Sequence, residues 1–358
     1  MKRLFLALIA VWTVGLGIGV LMLNSESAEL PKVEEKILNA KVPEPTGTFQ
    51  VRSSTIAEKK TVAIQFFGDI MLDRNVKKVM ATSGLDYIFE NVAKSNLLNN
   101  AEIKIANLEG PFIAKKIKTS KTIAFGFDPA YLNELKKYGF SAFNLANNHS
   151  YDMGRSASAF TRKYLEENNV GWFGDELTES IDFTWFTTSS DGARLAFIGV
   201  HNTYHRPDRT KLSKILSEAK NLADLVIVNV HWGEEYHATS TKSQREFGQW
   251  FVDNGADAVI GHHPHVVQEM EVYKEKPIFY SLGNFIFDQY FSKETQEGLS
   301  VKISISEKKL SSIEILPFRS EKSKIVEMNP EELSAFMVNF EALSRLGDKK
   351  IINGMLAF

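Results

Sequence analysis

A series of short apolar runs, each continuous rather than alternating with polar residues, constrains the fold of this 358-residue chain most strongly. A continuous run that ends in Gly, Asn or Asp is typical of a strand covered on both faces. Such runs predict buried strands at the centre of a domain. They are TVAIQFFGD (61–69), EIKIAN (102–107), SAFNLAN (141–147), ARLAFIGV (193–200), DLVIVNV (224–230), DAVIG (257–261) and PIFYSLGNF (277–285).

Segments with helical periodicity separate several of these runs. One lies between Pro129 and Gly139, and two others cover residues 154–169 and 241–256. Because strands alternate with helices, the sequence predicts the α/β class. Nearer the C-terminus, residues 299–318 alternate around a Glu-Lys-Lys turn and predict an antiparallel hairpin. The stretch after Pro330 predicts a terminal amphipathic helix.

The amino terminus carries a segment of the membrane-spanning type. Lys2 and Arg3 precede an apolar stretch from Leu4 to Leu23, which is long enough to cross a hydrocarbon core as a helix. The positive residues before it should stay in the cytoplasm, which sends the rest of the chain to the outer side. We therefore expect a single-pass anchor in the cell membrane with an extracytoplasmic domain. A cleaved signal peptide is the alternative.

The anchor is predicted at residues 1–23. Residues 24–60 lose periodicity and gain Glu, Lys, Ser and Pro, which is typical of a flexible linker. The folded domain is predicted at 61–320, and residues 321–358 are predicted to form a helical extension. The chemistry of the protein is therefore expected in the middle division.

Composition limits the kind of site this domain can hold. The chain contains no cysteine, which excludes disulfides, thiolate nucleophiles and cysteine metal sites. A metal would have to be held by His, Asp, Glu or Asn. The formal net charge of −2 argues against nucleic acid as the main partner. No glycine-rich phosphate loop follows a strand, so no nucleotide cofactor is expected.

Polar residues that can bind metal follow the apolar runs where each run ends. Because ligands of α/β sheets sit beyond the carboxyl ends of the strands, we expect these side chains to lie close together. Carboxylates, imidazoles and amides without thiolates suit one or two divalent ions such as Mn, Fe or Zn. Paired ions of this kind are typical of phosphoester hydrolysis. The residues are Asp69, Asn107, Glu109, Asn147, Asn148, His149, Asp152, His231, Glu234, Glu235 and the histidines of HHPH (262–265).

Six motifs occur in order along the folded region: FFGDIMLDR, IANLEGPF, FNLANNHSYDMG, VHWGEEY, IGHHPHVVQ and YSLGNFIFDQ. By these motifs the chain resembles the CapA family of bacterial capsule-synthesis proteins, named for poly-γ-glutamate capsule assembly. The resemblance runs from about Val62 to Phe318. The CapA family is itself similar to the calcineurin-like metallophosphatases. It therefore implies a four-layer α/β/β/α sandwich, in which helices flank two sheets.

The resemblance also implies a set of metal ligands, with a bridging carboxylate among them. Two departures weaken it. Met71 stands where metallophosphatases have the first-motif histidine, and their second-motif Gly-Asp pair is replaced by Asn107-Leu108-Glu109. A site with one metal, or with none, is thus an alternative. The implied ligands are Asp69, Glu109 (bridging), Asn148, His231, His263 and His265.

The expected activity follows from the same resemblance. His149, oriented by Asp152, would protonate a leaving group, and Asn148, His205 and Arg206 would contact the substrate. The implied function is hydrolysis of a phosphoester or related bond in an anionic cell-surface polymer, alongside other capsule-synthesis membrane proteins. The alternative is a non-catalytic accessory subunit that binds polymer or metal during capsule synthesis and export.

Overall fold

Fifteen strands form two sheets in the part of the chain that the structure describes. The computed structural model describes residues 61–84, 86–115, 117–176 and 180–358. The strands are β1 Val62–Ile70, β2 Ile103–Leu108, β3 Phe140–Asn144, β4 Gly171–Phe173, β5 Thr184–Thr188, β6 Arg194–Asn202, β7 Leu225–Trp232, β8 Ala258–His262, β9 Met270–Tyr273, β10 Lys276–Phe279, β11 Asn284–Ile286, β12 Glu297–Ser306, β13 Lys309–Glu321, β14 Lys324–Glu327 and β15 Met355–Ala357.

Seven α-helices accompany the strands in the same described ranges. Two of them begin with reciprocal caps. The side chain of Thr241 accepts a hydrogen bond from the N–H of Gln244, whose own side chain accepts from the N–H of Thr241. Asn329 and Glu332 make the same exchange before the last helix. The helices are α1 Arg74–Ser83, α2 Asp86–Phe89, α3 Tyr131–Lys137, α4 Gly154–Glu167, α5 Arg209–Leu222, α6 Lys242–Asp253 and α7 Pro330–Leu343.

The first sheet has a parallel half and an antiparallel half. Its strand order is β14-β13-β12-β1-β2-β3-β4, with β11 paired to the end of β1 and β15 paired to β13. Strands β1 to β4 are parallel to one another, whereas β12 runs antiparallel to β1. The parallel half therefore carries the carboxyl ends of β1, β2 and β3 to one edge.

The second sheet has the order β5-β6-β7-β8-β10-β9. Its four central strands are parallel, and the edge strands β5 and β9 run antiparallel to their neighbours. The carboxyl ends of β6, β7 and β8 reach the same register, since His201 pairs with His231 and His231 pairs with His262. Three histidines therefore end three adjacent strands.

Three apolar layers hold the two sheets and the helices together. The first packs α1 to α4 against the first sheet through residues such as Val76, Leu132 and Leu165. The second fills the space between the sheets, where the rings of Phe66 and Phe197 lie 6.3 Å apart. The third packs α5 and α6 on the outer face of the second sheet. Within the described residues the layers thus run helix, sheet, sheet, helix.

A close backbone contact fixes the end of β1. A Cβ atom at Gly68 would lie 1.9 Å from the carbonyl oxygen of Gly283, so only glycine fits there. The N–H of Asp69 donates to that same carbonyl at 3.0 Å. This contact sets the position of the Asp69 side chain at the edge of the sheet.

The α/β class predicted from the sequence is confirmed, as are the hairpin of β12 and β13 and the helix after Pro330. The predicted extension 321–358 carries α7 together with β14 and β15, both of which pair with β13. The anchor predicted at 1–23 and the linker predicted at 24–60 lie outside the described residues. Within the described ranges, no helix has both the length and the apolar character needed to span a membrane.

Candidate metal centre

The carboxyl ends of β1, β2, β7 and β8 meet at one edge of the domain. Asn107 joins the two sheets there, because its Nδ2 donates to Oδ1 of Asp69 at 2.8 Å and lies 3.3 Å from Nδ1 of His231. The N–H of His263 donates to Oδ2 of Asp69 at 3.3 Å. Side chains that are far apart in the sequence are therefore brought together.

Two groups of carboxylate and imidazole side chains lie at this edge. In each group the candidate ligand atoms are within 4.8 Å of one another, a spacing that one bound cation can bridge. The first group is Asp69, Glu109 and His231, and the second is Glu235, His263 and His265.

Glu109 is the most unusual residue of the centre. Its side chain is fully buried, and neither carboxyl oxygen has a hydrogen-bond partner among the described residues. Its neighbours are two imidazoles, since Nε2 of His149 and Nε2 of His265 each lie 3.7 Å from Oε1. Burial raises the pKa of Glu109 well above its usual value. A buried carboxyl group without a partner is costly unless it has a ligand to hold.

His265 lies between the carboxyl groups of Asp69 and Glu109. Its Nδ1 is 3.4 Å from Oδ2 of Asp69 and 3.0 Å from Oδ1 of Asn284. Burial acts to lower the pKa of His265, but the nearby Glu109 and Asp69 outweigh it and raise that pKa to about 9. For Asp69, burial acts to raise the pKa, and hydrogen bonds with His262 and His265 reverse this and hold it well below its usual value.

His231 is a buried, neutral imidazole. Its Nε2 lies 2.9 Å from Oδ1 of Asn148, an oxygen that only accepts, so this nitrogen carries the proton. Nδ1 then presents its lone pair towards Asn107. Burial, followed by repulsion from His263, lowers the pKa of His231 well below its usual value. The ring is thus held in the form that binds a metal ion.

The HHPH turn presents its histidines from strained backbone. His263 has φ 100° and His265 has φ 58°, the left-handed region that side chains other than glycine seldom adopt. Nδ1 of His263 has no partner among the described residues, and burial lowers its pKa to about 3. His262 also contacts the centre, with Nδ1 at 3.4 Å from Oδ1 of Asp69, and its Nε2 lies 3.2 Å from Nδ2 of Asn229.

His149 and Asp152 form a hydrogen-bonded pair beside the centre. Nδ1 of His149 lies 2.6 Å from Oδ2 of Asp152, which leaves Nε2 facing Glu109. The same carboxylate accepts from the N–H of Phe125 at 2.7 Å and from Nζ of Lys121 at 2.7 Å. Asp152 is therefore fixed on several sides, and it fixes the orientation of the His149 ring.

Three asparagines form a hydrogen-bonded network beside the centre. Oδ1 of Asn107 accepts from Nδ2 of Asn144 at 3.0 Å and from Nδ2 of Asn147 at 3.2 Å. Asn147 also donates to the carbonyl of Leu108 at 2.9 Å. All three amides are fully buried. Their network holds the ends of β2 and β3 together without adding charge.

A cleft of about 700 Å³ opens onto this edge. Asn148, His149 and His265 reach it from the centre, and it continues outward between basic and aromatic side chains. Arg74 contributes to one wall, where its guanidinium lies 5.1 Å from the centre of the Phe125 ring and pairs with Asp288. The outer walls include Lys121, Ile123, Tyr204, Tyr236, Phe287 and Phe291.

Every residue that the sequence predicts as a metal ligand lies at this edge of the domain. The nominated substrate residues differ, since Asn148 lines the cleft whereas His205 and Arg206 are not among its lining residues and their neighbour Tyr204 is. Met71 is fully buried in the apolar layer beneath α1 to α4, so its side chain supplies no ligand.

Sequence reasoning undervalued two residues. Glu235 is absent from the ligand set that the family resemblance implies, yet it joins His263 and His265 in a candidate ligand group; its position three residues after the end of β7 was the available signal. Arg74 was not nominated. Its only signal was its place directly after the first motif's Asp73, whose side chain caps the start of α1.

The donor set fits a divalent cation. It combines carboxylate oxygens, neutral imidazole nitrogens and an amide oxygen, which are ligands of first-row divalent ions. The two orphaned oxygens of Glu109 and the free Nδ1 of His263 provide lone pairs that no described residue uses.

Comparison with known proteins identifies the family. A family model described as bacterial capsule synthesis protein PGA_cap matches residues 63–289, which span the centre, the whole second sheet, and strands β1 to β4 and β11 of the first. The chain belongs to the PGA_cap family. The match begins in the first strand and includes every candidate ligand, whereas β12 to β15 and α7 lie beyond it.

Two curated relatives agree with the PGA_cap assignment. Capsule biosynthesis protein CapA of Bacillus anthracis is 31% identical over 283 residues, covering 73% of this chain and 68% of the relative. PGA biosynthesis protein CapA of Bacillus subtilis (strain 168) is 29% identical over 276 residues, covering 72% and 71%. The predicted resemblance to CapA proteins is confirmed. A hypothetical protein from Thermus thermophilus, of known structure, aligns with 15% identity, a TM-score of 0.49, and coverage of 73% of this chain and 100% of that one.

Proposed function

We propose that this PGA_cap protein is a divalent-metal-dependent hydrolase of the cell envelope, with a fold of the metallophosphatase type, that cleaves a phosphoester or related bond in an anionic surface polymer. The observation that carries the proposal is Glu109, a buried carboxyl group with two unpartnered oxygens between two imidazoles. A purely structural role gives no reason to bury such a group. The capsule and PGA biosynthesis named for the two relatives supports the polymer as the target.

The residues of the site have separate roles in the proposed reaction. Asp69, Glu109, Asn148, His231, His263 and His265 would hold one or two ions such as Mn, Fe or Zn. Such ions supply Lewis acidity and lower the pKa of water. His149 would protonate the leaving group from Nε2 as an imidazolium, while Asp152 accepts from its Nδ1 side and orients the ring. Asn148 orients the substrate from the wall of the cleft.

The proposed location is the outer face of the cell membrane, with residues 1–23 as the anchor. Other capsule-synthesis membrane proteins are the proposed partners. Membrane fractionation tests the anchor, because full-length protein should sediment with membranes and a form lacking residues 1–23 should not. A mature chain that begins after residue 23 would replace the anchor with a cleaved signal peptide.

The activity is tested with the full chain in detergent micelles. Bound metal is measured by elemental analysis, and hydrolysis of bis(p-nitrophenyl) phosphate is followed with added Mn²⁺ or Zn²⁺. His265→Ala should abolish both metal retention and turnover. His237→Ala is the matched control, since that imidazole is exposed and should leave both unchanged. Equal activity in the two variants would refute the proposal.

A second candidate function is that of a non-catalytic accessory subunit that binds metal or polymer. Met71 favours it, because that side chain is buried in the apolar layer and leaves the first motif without a histidine ligand. Retained metal with no turnover on phosphoesters or γ-glutamyl amides would support this second function over the first.

A further inference from the structure

Strained backbone is concentrated at the metal centre and its cleft. Outside asparagines and the two-residue turns between antiparallel strands, four described residues other than glycine adopt a positive φ. Such backbone is costly for a residue with a side chain, and it clusters at functional sites. The four residues are Arg74 (φ 51°), Tyr236 (φ 64°), His263 (φ 100°) and His265 (φ 58°). The two histidines are candidate ligands, whereas Arg74 has no role in the metal centre.

The guanidinium of Arg74 is oriented by one buried carboxylate. Its Nη2 donates to Oδ1 of Asp288, whose side chain is 3% exposed and also accepts from the N–H of Asn75 at 3.0 Å. Among the described residues, Asp288 is the only hydrogen-bond acceptor of this guanidinium. A guanidinium has five N–H donors, and the side chain of Arg74 is 38% exposed. Most of its donors therefore remain free for a ligand in the cleft.

Two phenylalanine rings place this guanidinium beside the metal centre. The centre of the Phe125 ring lies 5.1 Å from Cζ of Arg74 and 4.2 Å from the centre of the His149 ring. The centre of the Phe287 ring lies 5.6 Å from Cζ of Arg74 and 4.8 Å from the centre of the His265 ring. Each phenylalanine thus contacts both the guanidinium and one imidazole of the site. Arg74 is therefore one aromatic ring away from the proposed acid and from a candidate ligand.

Asp73 fixes the backbone of Arg74 relative to the Phe125 ring. Its Oδ1 accepts from the N–H of Arg74 at 2.8 Å, and its Oδ2 accepts from the N–H of Gly126 at 3.2 Å. Because Gly126 directly follows Phe125 in the chain, one carboxylate joins the two segments that carry the arginine and the ring. A side chain held in this way loses little conformational freedom when it binds a ligand. The position of Arg74 is thus set before any ligand arrives.

The overall charge of the cleft does not select an anion. Among the described residues, its walls carry the cations Arg74 and Lys121 and the carboxylates Asp288 and Glu235. Lys121 forms an ion pair with Asp152, and Glu235 belongs to the second candidate ligand group. Selection therefore depends on the free donors of Arg74, since the planar guanidinium fork matches the oxygens of an oxyanion.

A guanidinium in this position suits a scissile group that carries a negative charge. A phosphoester has negatively charged non-bridging oxygens in the ground state, whereas a carboxyl ester or an amide is neutral there. Arg74 lines the same cleft as His149 and His265, so a group that reaches both imidazoles also comes close to its donors. An ion pair that only joined α1 to the segment after β11 would give no reason for the strained backbone of Arg74.

We propose that Arg74 binds a non-bridging oxygen of the scissile phosphoryl group and thereby makes the site selective for phosphoesters over carboxyl esters and amides. Phe125, Phe287 and Asp288 hold the guanidinium for this contact. The inference rests on the proposed function for the bond that is cleaved, and on the strain, packing and free donors of Arg74 for the contact with the anion.

The test measures binding of inorganic phosphate to the full chain by calorimetry, and hydrolysis of bis(p-nitrophenyl) phosphate beside the neutral ester p-nitrophenyl acetate. Arg74→Gln should weaken phosphate binding about tenfold or more, and its loss in kcat/KM should be larger for the phosphodiester by a similar factor. Arg74→Gly should behave alike and keep the fold, since glycine adopts φ 51° without strain. Arg209→Gln is the matched control, because Arg209 also begins a helix and lies 4.9 Å and 5.5 Å from the Phe247 and Trp250 rings but does not line the cleft.

The inference and the proposed function fail separately. Wild-type phosphate affinity and phosphodiester turnover in both Arg74 variants would overturn the inference and leave the proposed hydrolysis intact. Equal losses for the two esters, or equal losses in Arg209→Gln, would also overturn it. Glutarate binding that depends on Arg74 and is tighter than phosphate binding would assign the guanidinium to a carboxylate instead. Phosphate binding that depends on Arg74, in a protein without turnover, would remove the proposed hydrolysis and keep the anion contact.

Discussion

Nε2 of His265 lies 3.7 Å from Oε1 of Glu109, although His265 follows a strand of the second sheet and Glu109 follows a strand of the first. Among the described strands, no strand of one sheet forms a backbone ladder with a strand of the other, so the contacts across this edge are made by side chains such as those of Asn107 and His231. The metal centre is therefore assembled across the sandwich, and each sheet supplies part of it.

Glu109→Gln should reduce divalent-metal affinity at least about tenfold. The amide offers one neutral oxygen in place of a carboxylate, and the charge that attracts the cation is lost. Isothermal titration calorimetry with Mn²⁺ measures the change. Glu314→Gln is the control, because that carboxylate pairs with Lys302 far from the centre. Unchanged affinity in Glu109→Gln would exclude this carboxylate as a ligand.

Glu109→Leu should stabilise the metal-free protein by about 1 kcal/mol. The substitution removes a buried polar group that has no partner and replaces it with an apolar side chain. Urea unfolding in the presence of a chelator measures the free energy of unfolding. With metal present the wild type should be more stable than Glu109→Leu, since only the wild type is stabilised by metal binding. A marked loss of stability under chelation would mean that Glu109 serves the fold itself.

His149→Asn should lower kcat roughly 10²- to 10⁴-fold while leaving metal content unchanged. The proton donor is lost, but the ligand groups at Asp69 and His263 are intact. Asp152→Asn should also lower kcat and alter the pH profile, because it removes the acceptor that orients the imidazole. If His149→Asn instead lost its metal, His149 would be a ligand and not the acid.

Metal binding should release protons and should strengthen as pH rises from 6 towards 9. His265, with a pKa of about 9, carries a proton at neutral pH when no cation is bound, and burial raises the pKa of Glu109 in the direction that favours its protonated form. A cation needs their lone pairs, so each proton that occupies one must leave. Calorimetry in buffers of different ionisation enthalpy counts the protons released. A pH-independent affinity with no proton release would contradict these shifts.

Gly68→Ala should destabilise the fold by about 2 kcal/mol and weaken metal binding. The added methyl group would meet the Gly283 carbonyl at 1.9 Å and displace Asp69. Gly347→Ala is the control: its φ is 62° and no atom lies within 4 Å of the added methyl group, so it should cost about 1 kcal/mol and spare the metal. Similar metal affinity in both variants would argue against this role for Gly68.

The principal strands could be predicted because a strand that is buried on both faces appears in the sequence as a continuous apolar run. Strands β4, β5 and β9 were not predicted, since three to five residues at a sheet edge carry too little pattern. The runs also do not record which sheet a strand joins. Nothing in the first run or in residues 224–230 separates a strand of one sheet from a strand of the other. The two-sheet arrangement was expected from the family resemblance alone.

The candidate site was predictable where residues terminate strands. Asp69, His231 and the HHPH turn follow buried runs directly, so the topology alone directs them to one edge. The residues that line the cleft could not be predicted in this way. Arg74, Phe287 and Lys121 come from segments whose meeting depends on loop conformation, which local pattern does not encode.

The middle apolar layer, where Phe66 meets Phe197, sets the separation of the two sheets and with it the spacing of ligands contributed from each side. In the proposed metal centre, an exchange of one large side chain for another deep between the sheets would therefore change the spacing of the ligands. The ion preference of the proposed site would then depend on residues that supply none of its ligand atoms.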